Sequence, residues 1–374
     1  MERPIRILQF PGTMLVGGVG SVVMNLYRNI DRSKVQFDFC VPRRDRGPLD
    51  DEIESMGGRI FSVPEMRKKG CLAYIKSIVS IIRQYGPYSA VHIHSVHMGA
   101  IAMIAAKKAD IKKIIYHVHN TQDPALKSFP FHAIIEKCLS CYIRKNSSLR
   151  LACGMQAGRY VYGNSSFQII NNAVDLNRFY PYDDIKRGQI RDALGIQNGQ
   201  IVVGNVARFA PVKNMSFFVR LAQEDSKNKR RLHFLLVGDG PLLDQIKKDV
   251  EDNGLQGFFT FTGNRRDVEV LYNAMDVFCL PSYFEGLPVS AMEAQAVGLP
   301  CVISDTVTSE CAINGDAVFF KSLKDNASSW LDLIYESMAF RESDKRKLAN
   351  NFTEKKYEIG VVSKGMEELY LSEF

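Results

Sequence analysis

The sequence of 374 residues predicts two α/β domains, each built on a parallel β-sheet with helices on both faces. Three observations support this fold class. The chain is longer than most single domains. Short apolar runs rich in strand-forming residues alternate with longer helical patterns. A polar, irregular stretch at 175–200, with one short helix near 185–194, separates two such series and predicts the interdomain linker.

The first series alternates predicted strands with predicted helices. Strand patterns occur at 5–10, 37–41, 91–94, 114–118, 149–152 and 168–170. Helical patterns occur at 21–29, 71–85, 100–107 and 131–145. This alternation is typical of a doubly wound sheet, in which ligands bind beyond the carboxyl ends of the strands.

The second series repeats this architecture without repeating the residues. Its predicted strands lie at 201–206, 235–238, 259–262, 277–280, 301–303 and 318–320. The last stretch, 352–370, has an amphipathic pattern that predicts one helix.

The composition is that of a globular protein, with 46% hydrophobic and 24% charged residues. No apolar run reaches membrane-spanning length, and the first residues lead directly into a strand without a signal peptide. Eight scattered cysteines are typical of reduced thiols in a cytosolic core. Cys138 and Cys141 form one C-x-x-C, for which core packing and a zinc or redox role are the alternatives. We therefore expect a cytoplasmic protein.

The charge is unevenly distributed along the chain. Residues 1–180 hold 25 Lys and Arg against 13 Asp and Glu, whereas residues 181–374 hold 23 against 28. The basic cluster at 67–69 precedes the apolar stretch 72–82, a combination typical of proteins that lie on an anionic membrane surface. The alternative is the solvated face of an ordinary helix. Nucleic acid is disfavoured, because no strand motif with aromatic and basic residues accompanies the charge.

Two carboxylates flank a predicted strand-to-helix junction. Glu285 lies in the loop after the strand 277–280, and Glu293 lies on the second turn of the helix that follows Pro288. Free amides at such a helix start suit an anion such as a diphosphate. Carboxylates beside it accept hydrogen bonds from hydroxyl groups, which indicates a phosphate that carries a sugar. The alternative is that Glu285 caps the helix and Glu293 is a solvated surface charge.

The segment 276–300, DVFCLPSYFEGLPVSAMEAQAVGLP, resembles the signature of the retaining glycosyltransferases of family four. The resemblance implies the GT-B fold, with two Rossmann-like domains facing each other across a cleft. The acceptor-side domain would be 1–178 and the nucleotide-sugar domain 179–355. A C-terminal helix at about 356–374 would cross back onto the first domain.

The resemblance also assigns roles in donor binding. Glu285 would bind hydroxyls of the donor sugar, and Glu293 would bind the ribose of the nucleotide. The residues that would bind the donor beside them are Gly286, Leu287, Pro288, Val289 and Ser290.

Two cations follow the strand 201–206. Arg208 and Lys213 lie in a loop close to a helix start, where two fixed positive charges suit a departing nucleoside diphosphate as it gains charge. Solvated surface cations are the alternative. The spacing resembles the R-x4-K element of the family, which implies that both residues act on the leaving group.

Glycine-containing turns follow three other strands. Gly17 and Gly18 open the first helix, where a backbone without side chains can approach a phosphate closely, although a plain tight turn is the alternative. This loop resembles the first glycine loop of the family and is not a P-loop. The turn at Gly238 resembles the family's G-x-G-P turn beside the nucleotide, and Asn264 ends a segment that resembles the loop reading the base.

Histidines two residues apart occur on two neighbouring predicted strands. His117 and His119 point to the same side of the strand 114–118, and His92 and His94 repeat this arrangement one strand earlier. Metal ligation is an alternative to structural roles, but no third ligand is evident. By resemblance, His119 is the active-site histidine, which contacts the donor sugar near its exocyclic carbon.

These observations predict a retaining, metal-independent glycosyltransferase without a cofactor. It would move a hexose or N-acetylhexosamine from a UDP-sugar, with GDP-mannose as the alternative donor, to a saccharide acceptor. A lipid-linked acceptor in capsule or exopolysaccharide synthesis fits the basic N-terminal half, and so does a peripheral site on the inner face of the cell membrane. The rival functions are a GT-B nucleotide-sugar epimerase or hydrolase and a non-catalytic nucleotide-sugar-binding protein.

Overall fold

The computed structural model describes residues 3–12, 14, 18–43, 45–123, 126, 130–227 and 232–373. The chain divides into two compact units. Unit 1 comprises Met1–Ala173 and Ile359–Phe374, and unit 2 comprises Val174–Glu358. The observed divisions therefore fall after residues 173 and 358, whereas the predicted ones fall after residues 178 and 355.

Within the described residues, unit 1 contains a seven-stranded parallel sheet of order β3-β2-β1-β4-β5-β6-β7. Its strands are β1 Ile5–Phe10, β2 Val35–Val41, β3 Arg59–Ser62, β4 Ala90–His94, β5 Ile114–Val118, β6 Leu149–Ala152 and β7 Gln168–Ile169. The intervening helices are α1 Gly18–Asn29, α2 Asp50–Ser55, α3 Met66–Tyr85, α4 Ala100–Lys108, α5 His132–Asn146 and α6 Met155–Tyr162. The sequence patterns do not predict β3, α2 and α6, because these elements are short and carry exposed or partly exposed residues instead of a continuous apolar run.

The described part of unit 2 contains a six-stranded parallel sheet of order β10-β9-β8-β11-β12-β13. Its strands are β8 Ile201–Val206, β9 Leu232–Val237, β10 Phe259–Gly263, β11 Val277–Leu280, β12 Cys301–Ser304 and β13 Val318–Lys321. Its helices are α7 Asp184–Ala193, α8 Ser216–Lys227, α9 Leu243–Asp252, α10 Val268–Ala274, α11 Val289–Ala296, α12 Ala327–Ser337 and α13 Lys345–Glu354.

The predicted linker at 175–200 is an integral part of unit 2. Its helix α7 packs on α10. Arg187 Nε donates to the carbonyl of Asn273 at 3.0 Å, and Arg191 Nε donates to that of Ala274 at 2.8 Å. Hydrogen bonds from these two arginines therefore anchor the polar segment to the end of α10. Composition alone does not reveal such contacts, so it predicts a linker here.

The predicted C-terminal helix is two helices, α13 and α14, the latter at Ile359–Leu371. Lys356 has a left-handed backbone with φ 60°, and Glu358 forms an isolated parallel bridge with Val174, so the helix cannot continue through these residues. In unit 1, Met366 and Tyr370 of α14 are part of the hydrophobic core. Lys113 Nζ donates to the carbonyls of Leu369, Tyr370 and Ser372 and so holds the end of α14.

The cysteines differ in their exposure to solvent. Five cysteines are buried, whereas Cys71 and Cys138 are exposed, so the expectation of core thiols is wrong for these two.

None of the helices in the described ranges combines the length and apolar character needed to span a membrane.

Candidate active site

The catalytic candidates of unit 2 follow two neighbouring strands. Val277 of β11 pairs with Val203 of β8, so the carboxyl ends of the two parallel strands lie at the same edge of the sheet. Arg208 and Lys213 follow β8, and Glu285 follows β11. Topology therefore brings together Lys213 and Glu285, which lie 72 residues apart in sequence, and Arg208 lies on the same loop as Lys213.

Glu285 is held by two direct contacts. Lys213 Nζ lies 2.5 Å from Glu285 Oε1, and Ser282 Oγ donates to the same oxygen at 2.7 Å. Ser282 is fully buried, and its carbonyl accepts hydrogen bonds from Ser304 Oγ and, at 2.9 Å, from Thr306 Oγ1. Because an ion pair and a buried hydroxyl share one oxygen, the second oxygen of Glu285 stays available as an acceptor.

Backbone contacts fix the two loops to each other. The amide of Tyr283 donates to the carbonyl of Val212 at 2.8 Å, and Asn214 Nδ2 donates to that of Pro281 at 3.1 Å. Asn214 is buried and has φ 53°, a left-handed conformation that asparagine tolerates better than most residues. The Lys213–Glu285 pair is thus pre-formed by two loops that hydrogen-bond directly.

Arg208 is exposed and has no side-chain partner among the residues that the structure describes. Its loop contacts the turn at Gly238, because the amides of Ala207 and Phe209 donate to the carbonyls of Val237 and Asp239. A Cβ atom at Gly238 would lie 2.1 Å from the carbonyl oxygen of Ala207, and the φ of Gly238 is 132°. The glycine is therefore required for the close packing that positions Arg208.

The helix α11 begins at Val289, directly after Pro288. Pro288 is its N-cap, and the carbonyl of Pro288 accepts from the amides of Ala291 and Met292 at 3.2 and 3.4 Å. The amides of Val289 and Ser290 have no acceptor within the helix, as is usual for a first turn. They follow Gly286 and the buried Leu287, and they offer donors to an anion.

Glu293 is partly buried on α11. Tyr272 Oη donates to Glu293 Oε2 at 2.9 Å. Burial raises the pKa of Glu293 to about 7, although the charge of Arg178 acts in the opposite direction. Arg178 itself pairs with Glu269 at 2.7 Å. Glu293 is therefore not a solvated surface charge. Because burial raises its pKa, its carboxylate is a stronger hydrogen-bond acceptor for a hydroxyl group of a ligand.

The remaining donor-binding candidates lie at loop positions. Asn264 is exposed just after β10, whose last residue, Gly263, accepts a hydrogen bond at 2.9 Å from the amide of Gly238. In unit 1, Gly18 begins α1 with φ 56°. Gly17 lies outside the described residues, so the structure locates only Gly18 of these two predicted glycines.

His119 follows β5 in unit 1, and both of its ring nitrogens face neighbouring side chains. Nε2 lies 2.9 Å from His94 Nδ1, and Nδ1 lies 3.2 Å from Asn172 Oδ1. Burial lowers the pKa of His119 to about 4, so the imidazole is neutral near pH 7. Its expected contact with a donor sugar stays a prediction, and such a contact would use the ring face or edge while these bonds persist.

The structure places more histidines around His119 than the sequence analysis expected. Ring nitrogens of His92, His94 and His117 lie within 4.8 Å of one another, so a third imidazole does lie near His117. The rings form a stack: His92 and His117 are inclined by only 4°, and the centroids of His117 and His119 are 4.0 Å apart. Within the described residues, both ring nitrogens of His117 and Nε2 of His92 are buried without a hydrogen-bond partner.

Four contributors to these sites were missed. Tyr272, Gln9 and Tyr370 lie in different segments from the residues that they contact, and no local motif marks them. Ser282 lies only three residues before Glu285, inside the segment 276–300 that carries the family resemblance. For Gln9 a signal did exist, since it lies on β1 and pairs with His92 in register.

Comparisons with known proteins match both units. The model of "Glycosyltransferase Family 4" matches residues 16–178, and that of "Glycosyl transferases group 1" matches residues 186–358. The putative glycosyltransferase EpsF of Bacillus subtilis is 35% identical over 89% of this chain and 88% of its own. The UDP-Gal:alpha-D-GlcNAc-diphosphoundecaprenol alpha-1,3-galactosyltransferase of Escherichia coli is 28% identical over 81% and 80%.

Solved structures agree at the level of the fold. The crystal structure of Anabaena Alr3699/HepE in complex with UDP-glucose matches with a TM-score of 0.78 at 18% identity, covering 98% of this chain and 99% of that one. The GT-B fold expected from the sequence is thereby confirmed.

Proposed function

Because the chain belongs to the group 1 glycosyltransferases of family four, we propose that it transfers a hexose or N-acetylhexosamine from a UDP-sugar to a lipid-linked saccharide with retention of anomeric configuration. The observation that carries the proposal is the Lys213–Glu285 pair, held at 2.5 Å beside the open amides of α11. A UDP donor is supported by the names of the Escherichia coli relative and of the Anabaena complex. The diphosphoundecaprenol in the first of these names supports a lipid-linked acceptor, and with it a role in capsule or exopolysaccharide synthesis.

The leaving group determines the roles of the cations. Cleavage of the glycosidic bond adds negative charge to the diphosphate, which fixed donors stabilise better than reorganising water does. Arg208 supplies a guanidinium that no other described side chain neutralises, and the amides of Val289 and Ser290 supply dipoles. Lys213 has a double role, because it also orients Glu285. Cations and amides together provide the stabilisation that a metal ion supplies elsewhere, which is why we propose a metal-independent reaction.

Glu285 and Glu293 act as acceptors on the two ends of the donor. The free oxygen of Glu285 receives hydroxyls of the sugar, and Glu293 receives a ribose hydroxyl while Tyr272 donates to its other oxygen. With Glu285 occupied in recognition, we propose same-face attack, in which a phosphate oxygen of the leaving group takes the proton of the acceptor hydroxyl.

Transfer assays with a panel of UDP- and GDP-sugars and a short-chain polyprenyl-diphosphate GlcNAc acceptor test this proposal. We expect turnover with one UDP-sugar, and NMR of the product should show the anomeric configuration of the donor. Arg208→Gln should lower kcat by about 10²-fold, the typical effect of removing one transition-state donor. Arg220→Gln, on the exposed face of α8, is the matched control. Sugar conversion without an acceptor would indicate an epimerase or hydrolase, and binding without turnover a non-catalytic protein.

We further propose that unit 1 lies on an anionic membrane surface through α3 and α5. Leu72 is 75% exposed beside Lys68 and Lys69, while Phe131 and Ile134, at the start of α5, are 75% and 61% exposed. α3 and α5 both pack against α4, so they belong to one helical layer. Apolar side chains flanked by cations combine insertion with attraction to anionic lipids.

Flotation with vesicles that contain or lack anionic lipid tests the membrane proposal. Replacing Leu72 and Ile134 by Asn, or Lys68 and Lys69 by Gln, should reduce the bound fraction on anionic vesicles. The matched controls lie in unit 2: Ile185→Asn, at an equally exposed isoleucine, and Lys247→Gln with Lys248→Gln. Equal binding to neutral and anionic vesicles, or an equal loss in the controls, would remove the proposal.

A further inference from the structure

A continuous hydrogen-bonded chain leads from α14 to His119 inside unit 1. Tyr370 Oη lies 2.6 Å from His92 Nδ1 and 3.3 Å from Gln9 Nε2. Gln9 Oε1 lies 2.9 Å from His94 Nε2, and His94 Nδ1 lies 2.9 Å from His119 Nε2. The four inner residues of this chain are buried, so water does not compete for its bonds.

The strands explain why the side chains meet. Gln9 of β1 pairs with His92 of β4, and His94 of β4 pairs with His117 of β5. Residues two apart on a strand share a face, which places Gln9, His92, His94, His117 and His119 on one side of the sheet. Tyr370 reaches this side from α14.

The protons of such a chain cannot be placed independently. A neutral imidazole has one donor nitrogen and one acceptor nitrogen. If His119 donates from Nε2, His94 must accept at Nδ1 and donate from Nε2 to Gln9. The Gln9 amide then donates to Tyr370, whose hydroxyl donates to His92 Nδ1, so all three imidazoles carry their proton on Nε2.

The reverse direction is equally constrained. If His94 donates from Nδ1 to His119, a half-turn of the Gln9 amide lets it donate to His94 Nε2 and accept from Tyr370. His92 then donates from Nδ1, and all three imidazoles carry their proton on Nδ1. The amide of Asn172 is complementary to His119 Nδ1 in either direction, because it can present oxygen or nitrogen.

We propose that His94, Gln9 and Tyr370 are positioning residues that couple the tautomer of His119 to their own proton arrangement and hold its ring orientation, so that seating of α14 is coupled to the histidine that is predicted to contact the donor sugar. The consequence for turnover rests on the proposed function, whereas the proton arrangement does not. Burial supports a neutral chain, because it lowers the pKa values of His92, His94 and His119.

Long-range ¹H–¹⁵N NMR on ¹⁵N-histidine-labelled protein at pH 7.5 tests the arrangement directly, because it distinguishes Nδ1–H from Nε2–H. The sequence has only seven histidines, and single substitutions such as His119→Asn assign the signals. We expect His92, His94 and His119 to share one tautomer. Opposite tautomers in His94 and His119 would make their contact repulsive and would overturn the proposal, whether or not transfer activity is found.

Tyr370→Phe tests the coupling, because it removes one hydroxyl and keeps the ring in the core. We expect the His92 tautomer to separate from that of the other two, and kcat to fall about fivefold while KM for the donor stays within twofold. Gln9→Leu should release His94 and His119 in the same way. Tyr85→Phe, at a partly exposed tyrosine of unit 1, is the matched control. Unchanged tautomers and unchanged kcat in both variants would overturn the coupling.

Discussion

The two units differ in where their functional polar side chains lie relative to the β-sheet. In unit 1 the polar side chains lie on the strands themselves, as a stack of imidazoles on β4 and β5 with Gln9 on β1. In unit 2 they lie in the loops beyond the strands, where Lys213 and Glu285 meet. Loops keep access to solvent and can hold full charges, whereas the buried imidazoles of the unit 1 sheet stay neutral.

Burial changes proton affinity in both units, with opposite consequences for stability. It lowers the pKa values of His92, His94 and His117 and raises that of Glu293 to about 7. The unfolded chain therefore binds more protons than the native imidazoles as the pH falls below about 6.5, which destabilises unit 1. Native Glu293 holds its proton up to about pH 7, so its contribution destabilises unit 2 as the pH rises above about 4.5.

The largest expected effect concerns the core of unit 1. Tyr370→Ala should lower the free energy of unfolding by about 3–5 kcal/mol, because it leaves a cavity among buried rings and an unpaired chain of polar groups. Urea unfolding followed by circular dichroism measures the change. Leu371→Ala, at an exposed neighbour on α14, should change it by less than about 0.5 kcal/mol. Equal effects in both variants would contradict the placement of α14.

The next effect concerns the loops of unit 2. Glu285→Gln should lower kcat about 10²- to 10³-fold, because the amide cannot pair with Lys213 and accepts sugar hydroxyls less strongly. Melting temperature should change little, since the residue is partly exposed. Steady-state transfer kinetics measure the loss, with Glu251→Gln on the exposed face of α9 as the control. A folded variant with normal kcat would remove Glu285 from the site.

The next prediction concerns Glu293 and has a smaller effect of opposite sign, a pH-dependent gain in the free energy of unfolding. Glu293→Gln removes a carboxylate whose ionisation is costly, so it should stabilise the ligand-free protein by about 3 kcal/mol at pH 8 and by well under 1 kcal/mol at pH 5. The same variant should bind UDP more weakly. Urea midpoints at the two pH values and calorimetric titration with UDP check both expectations, and a gain that does not depend on pH would show that Glu293 is ionised at little cost.

The smallest effect tests how Glu285 is oriented. Ser282→Ala removes the 2.7 Å hydrogen bond to Oε1 while Lys213 keeps its contact. A hydrogen bond to a charged group contributes about 1.5–3 kcal/mol, so we expect kcat to fall roughly tenfold, with KM for the donor rising by less. Thr306→Ser, which retains the hydroxyl that bonds the Ser282 carbonyl, is the control in the same transfer assay. An unchanged kcat in Ser282→Ala would mean that Lys213 alone positions Glu285.

The alternation of strands and helices can be predicted from the amino-acid sequence alone, and so can the loops in which the candidate residues lie. β1, β5, β6, β8 and β11 have the bounds that their sequence patterns predicted, because strands buried on both faces are predominantly apolar. The location of Arg208, Lys213 and Glu285 at the carboxyl ends of strands also follows from sequence once parallel strands are assumed. The break between α13 and α14 does not, because a bridge to Val174 and a left-handed Lys356 decide it.

Which polar groups act together depends on the three-dimensional fold. Strand order makes β1, β4 and β5 neighbours, and α14 adds Tyr370 from the other end of the chain, so contacts of His92 span as many as 278 positions. Glu293 has a strongly shifted pKa for the same reason, since Tyr272 and an apolar surrounding come from other elements. Proton affinity depends on what surrounds a group in space, and local sequence specifies only the few neighbours along the chain.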